Sequence, residues 1–207
     1  MACLKNGIIG IGGLLLIFAM PLQADYLTGV RAYEKGDYEQ AYEELRPLAE
    51  EGDAFAQLYV GLMNLYGQGM DQNIVRAGEW LERSAQGGCR MAQSVFGRMY
   101  EQGLGLPKDY TLAASWFLKA AQQGSYIAQF KLGKLYLLGL GVPQDVEEAE
   151  HWYTKAAEQG SVAAQITLAR NYDLGGQFSP DRQQAEKWYR ELEKRGYDRD
   201  QLYIINM

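Results

Sequence analysis

The sequence predicts an all-α fold, an α-solenoid built of helix-turn-helix units, and three observations carry that prediction. First, the four tryptophans, Trp80, Trp116, Trp152 and Trp188, recur with a period of 36 residues, and self-similarity at such a period marks a repeat architecture. Second, Ala77, Ala113, Ala149 and Ala185 precede the tryptophans by a constant interval, and Gly88, Gly124, Gly160 and Gly196 follow them at another. Third, the apolar residues between these marks return at helical spacing rather than in alternation.

Each period encodes two helices. In the second helix, Ala113, Trp116, Phe117, Ala120 and Ala121 form one apolar stripe. Its start is marked by Asp109, matched by Asp37, Asn73, Asp145 and Asp181, residue types whose side chains accept the unpaired amide hydrogens of a first turn. Asp145 with Glu148 and Asp181 with Gln184 have capping-box spacing. The recurring glycine closes the helix by taking the left-handed conformation. The first helix is expected from about Ala92 to Gln102, with Ala92, Phe96, Met99 and Tyr100 inward. Gly97 and Gly133 fall inside first helices, where glycine costs about 1 kcal/mol relative to alanine. Close approach of a neighbouring helix is the expected compensation.

The ends read differently. "MACLKNGIIGIGGLLLIFAMPLQA" holds one cation, Lys5, before an apolar run from Ile8 to Met20. That run is too short to cross about 30 Å of hydrocarbon. It fits a cleavable secretory signal, residues 1–24, cut after Ala24. The expected product is a periplasmic or secreted protein with no membrane association once the signal is gone. The net charge of −6 argues against nonspecific nucleic-acid binding, which needs clustered positive charge.

Little in the chain suggests chemistry. Gly67-x-Gly69, Gly103-x-Gly105 and Gly139-x-Gly141 lack the Lys-Ser/Thr of a phosphate loop and the strand of a dinucleotide site. They read as inter-helix turns that require positive φ. His151, the one histidine, corresponds to Glu79, Ser115 and Lys187 and so belongs to a solvated helix face. No metal, cofactor or nucleophile–base pair can be assembled from it. Cys89 matches Ser125 and Ser161 just after the closing glycine. It is expected in an exposed turn, where it could link two chains.

Residues 54–198 resemble four Sel-one-like repeats, the branch of the tetratricopeptide superfamily written Ala-Gln, Leu-Gly, Tyr, Gly-x-Gly-Val-x-x-Asp, Ala, Trp, Ala-Ala, Gly. The units are 54–90, 91–126, 127–162 and 163–198, and the third matches almost throughout. The last departs, with Gly175-Gly176-Gln177 in the loop and Leu192-Glu193 for Ala-Ala. Residues 25–53, "DYLTGVRAYEKGDYEQAYEELRPLAEEGD", are similar to a shorter tetratricopeptide unit with Glu44 at the tryptophan position. They are expected to be an N-terminal cap, since terminal repeats need a polar outer face. Residues 199–207 begin a further first helix.

The resemblance implies a right-handed superhelix with first helices on its concave face, and a role in protein–protein interaction rather than catalysis. On that face one row stands out: Arg31, Leu62, Arg98, Lys134 and Arg170 occupy equivalent positions. Four cations of five would form a ladder with rungs on the order of 10 Å apart. Tyr59, Val95, Lys131 and Thr167 lie three residues earlier, and Tyr66 and Leu138 four residues later. The row suits an acidic segment of a partner protein. Two other roles follow from the resemblance: an immunity protein that neutralises a secreted toxin, and a cell-wall hydrolase or β-lactam-binding protein. The cysteine-rich relatives linked to the latter staple each repeat with two cysteines, which this chain lacks.

Overall fold

Ten α-helices follow one another without a strand among the residues that the computed structural model describes, 19–199, with side chains from Tyr26 onward. The expected signal up to residue 18 and the tail from residue 200 lie outside the described residues. The chain divides into two compact units. Unit 1 runs to Lys108 and unit 2 starts at Asp109.

Unit 1 holds α1 (Ala19–Lys35), α2 (Tyr38–Glu50), α3 (Ala54–Tyr66), α4 (Ile74–Gln86) and α5 (Arg90–Gln102). α1 is helical on both sides of Ala24. Unit 2 holds α6 (Tyr110–Gln122), α7 (Tyr126–Leu138), α8 (Val146–Glu158), α9 (Val162–Leu174) and α10 (Arg182–Glu193). In both units each helix packs on its chain neighbours, α1 on α2, α2 on α3 and so on.

The expected caps form. Asp145 accepts the Glu148 amide at 3.0 Å, Asp109 that of Leu112 at 2.9 Å, and Asn73 that of Arg76 at 3.0 Å. The closing glycines take positive φ, 84° at Gly124 and 91° at Gly160. α5 starts at Arg90, two residues before the expected Ala92, because Cys89 is already the cap residue. The glycine pairs do two jobs. Gly67, Gly103 and Gly139 end α3, α5 and α7 in the left-handed conformation. The second glycine of each pair lies against the backbone at the start of the preceding second helix. A methyl group on Gly105 would stand 3.0 Å from the Ile74 carbonyl oxygen.

Gly133, inside α7, has the expected use. A methyl on Gly133 would stand 3.0 Å from the Tyr153 ring and 3.1 Å from the Ala149 carbonyl oxygen. α7 and α8 therefore approach so closely that a side chain at that position would press on the Tyr153 ring and the Ala149 backbone. The Ala-Gln pair of each first helix is a second joint. Gln57, Gln93, Gln129 and Gln165 are buried, and each donates its amide to a carbonyl near the end of the preceding helix: Ala49, Ala85, Ala121 and Ala157, at 3.0–3.1 Å. Each of these carbonyls also accepts the amide of the glycine that closes its helix, so the glutamine adds a second bond and positions the next helix.

The core differs from the expected one in two places. Ala41, Ala77, Ala113, Ala149 and Ala185 are all fully or almost fully buried. Trp152 and Trp188 are buried too, at 7% and 3% exposure, but Trp80 and Trp116 are only half-buried. Cys89 is the other correction: it is 1% exposed rather than in an exposed turn. As the residue capping α5 it turns inward, and its side chain makes no cap bond, whereas Ser125 and Ser161 accept the Ala128 and Ala164 amides. A disulfide to another chain would require this end of α5 to open.

Candidate partner-binding surface

The outer face of a first helix is set by residues three or four apart. In unit 1 that face carries Arg31 on α1, exposed; Tyr59 and Leu62 on α3, half-buried; Tyr66 at the end of α3, 53% exposed; and Arg98 on α5, half-buried. One bond joins two of these. The Arg98 Nη2 donates to the Tyr66 hydroxyl oxygen at 3.0 Å. Behind it the aromatic rings pack edge to face, Tyr33 on Tyr59 at 4.9 Å and Tyr33 on Tyr38 at 5.3 Å. The Tyr33 hydroxyl donates to Gln68 at 3.0 Å. Burial pushes the Tyr33 and Tyr59 phenols above the ordinary tyrosine range, so both remain neutral donors at physiological pH.

In unit 2 the corresponding face carries Lys131, half-buried, then Lys134 and Leu138, both exposed, on α7. Arg170 lies on α9 and is half-buried. It lines an open hollow of ≈320 Å³ with Ile166, Thr167, Asn171 and Leu174. Leu174, 64% exposed, is the repeat equivalent of Tyr66 and Leu138. It belongs on this face although the sequence reading stopped at those two. Met91 and Ile127, near the other ends of α5 and α7, are likewise about half exposed. The shared signal is position in the period, which extends the apolar margin to both ends of the face.

His151 is exposed on α8, its ring set edge-on to Trp152 at 5.2 Å. The open hollow beside it is lined by Glu147, Glu150, Thr154 and Lys155, all from the same helix, and no second element converges on it. Among the described residues no group of three or more His, Cys, Asp or Glu side chains is placed to hold a metal ion. No helix among them is long and apolar enough to cross a membrane.

Helix pairs at a fixed period, joined through a buried glutamine and a left-handed glycine pair, with cations on the first helices, define an α-solenoid of the kind that presents a surface rather than a cleft. The Sel1 repeat model matches residues 54–89, 90–125, 127–161 and 162–197, more than half of the chain. The chain belongs to the Sel1 repeat family, whose fold is a scaffold consistent with protein–protein interaction and generally non-catalytic. Among solved structures, it is 33% identical to a protective antigen of uropathogenic Escherichia coli, over 85% of this chain and 39% of that one, with a TM-score of 0.77. The chain thus spans about two fifths of that protein. A Sel1 repeat protein from Oxalobacter formigenes is also 33% identical, over 82% of this chain and 70% of its own, with a TM-score of 0.75. Cysteine-rich protein B of Helicobacter pylori shares the fold at 23% identity and a TM-score of 0.51, over 64% of this chain and 95% of that one. No curated protein matches the chain.

Proposed function

We propose that the chain is a non-catalytic periplasmic binding protein whose first helices hold an acidic segment of a partner protein. The observation that carries this reading is the state of the cations. Arg98 bonds to the Tyr66 hydroxyl, and among the described residues no carboxylate lies within ion-pair reach of Arg31, Arg98 or Lys134. In a chain of net charge −6, cations left uncompensated at equivalent places attract negative charge from outside. Tyr59, Leu62, Tyr66, Lys131, Leu138 and Arg170 supply the apolar and polar surround in the two units. Arginine and tyrosine are enriched at protein interfaces for this combination of area and hydrogen bonding.

The test is the triple variant Arg98→Glu, Lys134→Glu and Arg170→Glu. Lys134 is exposed and Arg98 and Arg170 are half-buried, so circular dichroism first establishes that the variant is folded. Capture of partners from periplasmic extract should fail with the variant, and wild-type capture should weaken as salt rises. Undiminished capture by the folded variant would overturn the reading. Cell fractionation checks its location: mature protein beginning near Asp25 is expected in the periplasm, and full-length protein confined to the cytosol would remove the envelope role.

A further inference from the structure

The Arg98–Tyr66 bond distinguishes unit 1 from a generic basic surface. Tyr66 ends α3 and Arg98 lies mid-way along α5, so the bond spans two first helices and fixes a side chain that would otherwise sample many rotamers. A guanidinium has five N–H donors in a planar fork. One is used on Tyr66, and the remainder stay available to a carboxylate, the acceptor that fork fits best. Along α5, Val95 and Met91 continue the same face; along α3, Leu62 and Tyr59 do so, and Tyr59 is held by its ring contact with Tyr33. Rigid tyrosines give contact area at low entropic cost. The cation is therefore flanked by apolar side chains on both helices.

We propose that Arg98, positioned by Tyr66, is the specificity-determining contact of unit 1, and that it takes a peptide segment in which a carboxylate side chain has an apolar side chain within a few residues. This rests on the protein-binding reading above and narrows it to one site and one sequence chemistry. A single carboxylate matches a single guanidinium. A phosphate dianion would leave negative charge uncompensated beside a chain of net charge −6.

A display library of random 12-residue peptides, panned on the purified full chain, tests the assignment. Peptides enriched on wild type should carry Asp or Glu near an aliphatic or aromatic residue. A selected peptide should bind Arg98→Met at least about tenfold more weakly, the loss of one charge-assisted contact. Tyr66→Phe keeps the ring and releases the guanidinium. It should lower affinity by roughly threefold to tenfold while leaving the salt dependence intact, whereas Arg98→Met should flatten it. Circular dichroism melts check that both variants fold. Acidic peptides that bind Arg98→Met as tightly as wild type but fail on Lys134→Glu/Arg170→Glu would overturn the Arg98 site and leave the broader reading standing. Selection without acidic residues would overturn both. Tighter binding when phosphoserine replaces the carboxylate residue would overturn the carboxylate assignment.

Discussion

Trp80 in unit 1 and Trp188 in unit 2 hold the same place in the 36-residue period, yet their surroundings differ. Trp188 is 3% exposed, within a cluster that includes Tyr153, Phe178 and Tyr189. Trp80 is half-buried beside a cluster of smaller residues, with the Arg83 guanidinium 5.0 Å from its ring centre. The alanine three residues before each is completely or almost completely buried in both units. The constant element of the core is thus the small residue that lets two helices meet. The indole fills whatever space its neighbours leave. Aromatic groups are also used differently: Tyr153, Tyr172 and Tyr189 are buried in unit 2, whereas Tyr59 and Tyr66 of unit 1 lie on the first-helix face with Arg98.

The largest effect expected from this contrast is on stability. Trp188→Ala should cost about 3–5 kcal/mol, the range for truncating a buried aromatic. Trp80→Ala should cost less, about 1–2 kcal/mol, because less of its area leaves water on folding. Trp116, half-buried with the Lys119 ammonium 3.8 Å from its ring centre, should fall between them. Urea melts of the three variants make the comparison, and equal losses at Trp80 and Trp188 would break it.

The glutamine joints should erase the contrast. Gln93 in unit 1 and Gln129 in unit 2 make the same bond to the same class of carbonyl, each at 3.1 Å. Replacing either with leucine removes one buried hydrogen bond from a carbonyl that still accepts the amide of Gly88 or Gly124, at a cost of roughly 0.5–1.5 kcal/mol. Similar losses at both sites would mark the joint as a property of the repeat. A loss at only one would show that burial in the surrounding unit decides its value.

How much of this was legible follows from what each feature depends on. Caps, glycine turns and the alanine register depend on residues a few positions apart, and the sequence displays them directly. The burial of Cys89 was not legible, because its serine equivalents suggested a solvated turn, while the fold uses that position as a helix cap facing inward. The Arg98–Tyr66 bond joins residues on different helices and is not visible as a motif. It could have been found by noting that an arginine of one repeat follows a tyrosine of the previous repeat at slightly less than one period. Leu174 was missed for a simpler reason: the divergent Gly175-Gly176 loop obscured its equivalence to Tyr66 and Leu138. The half-burial of Trp80 depends on the sizes of its neighbours, which periodicity does not report.

The smallest expected effect concerns acid. In unit 2 the Glu186 carboxylate accepts from Arg190 at 3.0 Å and from Arg199 at 2.9 Å, and these bonds hold its pKa below the ordinary carboxylate range. A carboxylate whose folded pKa is depressed adds stability above its unfolded pKa and loses it as pH falls through the folded value. All three side chains are substantially exposed, and exposed ion pairs contribute little because solvent screens them. Thermal melts of wild type and Glu186→Gln should therefore differ slightly at neutral pH and converge once the pH falls below the carboxylate range. The Arg46–Glu50 pair of unit 1, 2.8 Å apart and about half exposed on both sides, lacks a second arginine. Glu50→Gln should accordingly change the melt less than Glu186→Gln does. A pH-independent gap at Glu186 would mean that the side chain acts through packing, and that the charge network at the end of unit 2 adds nothing to its stability.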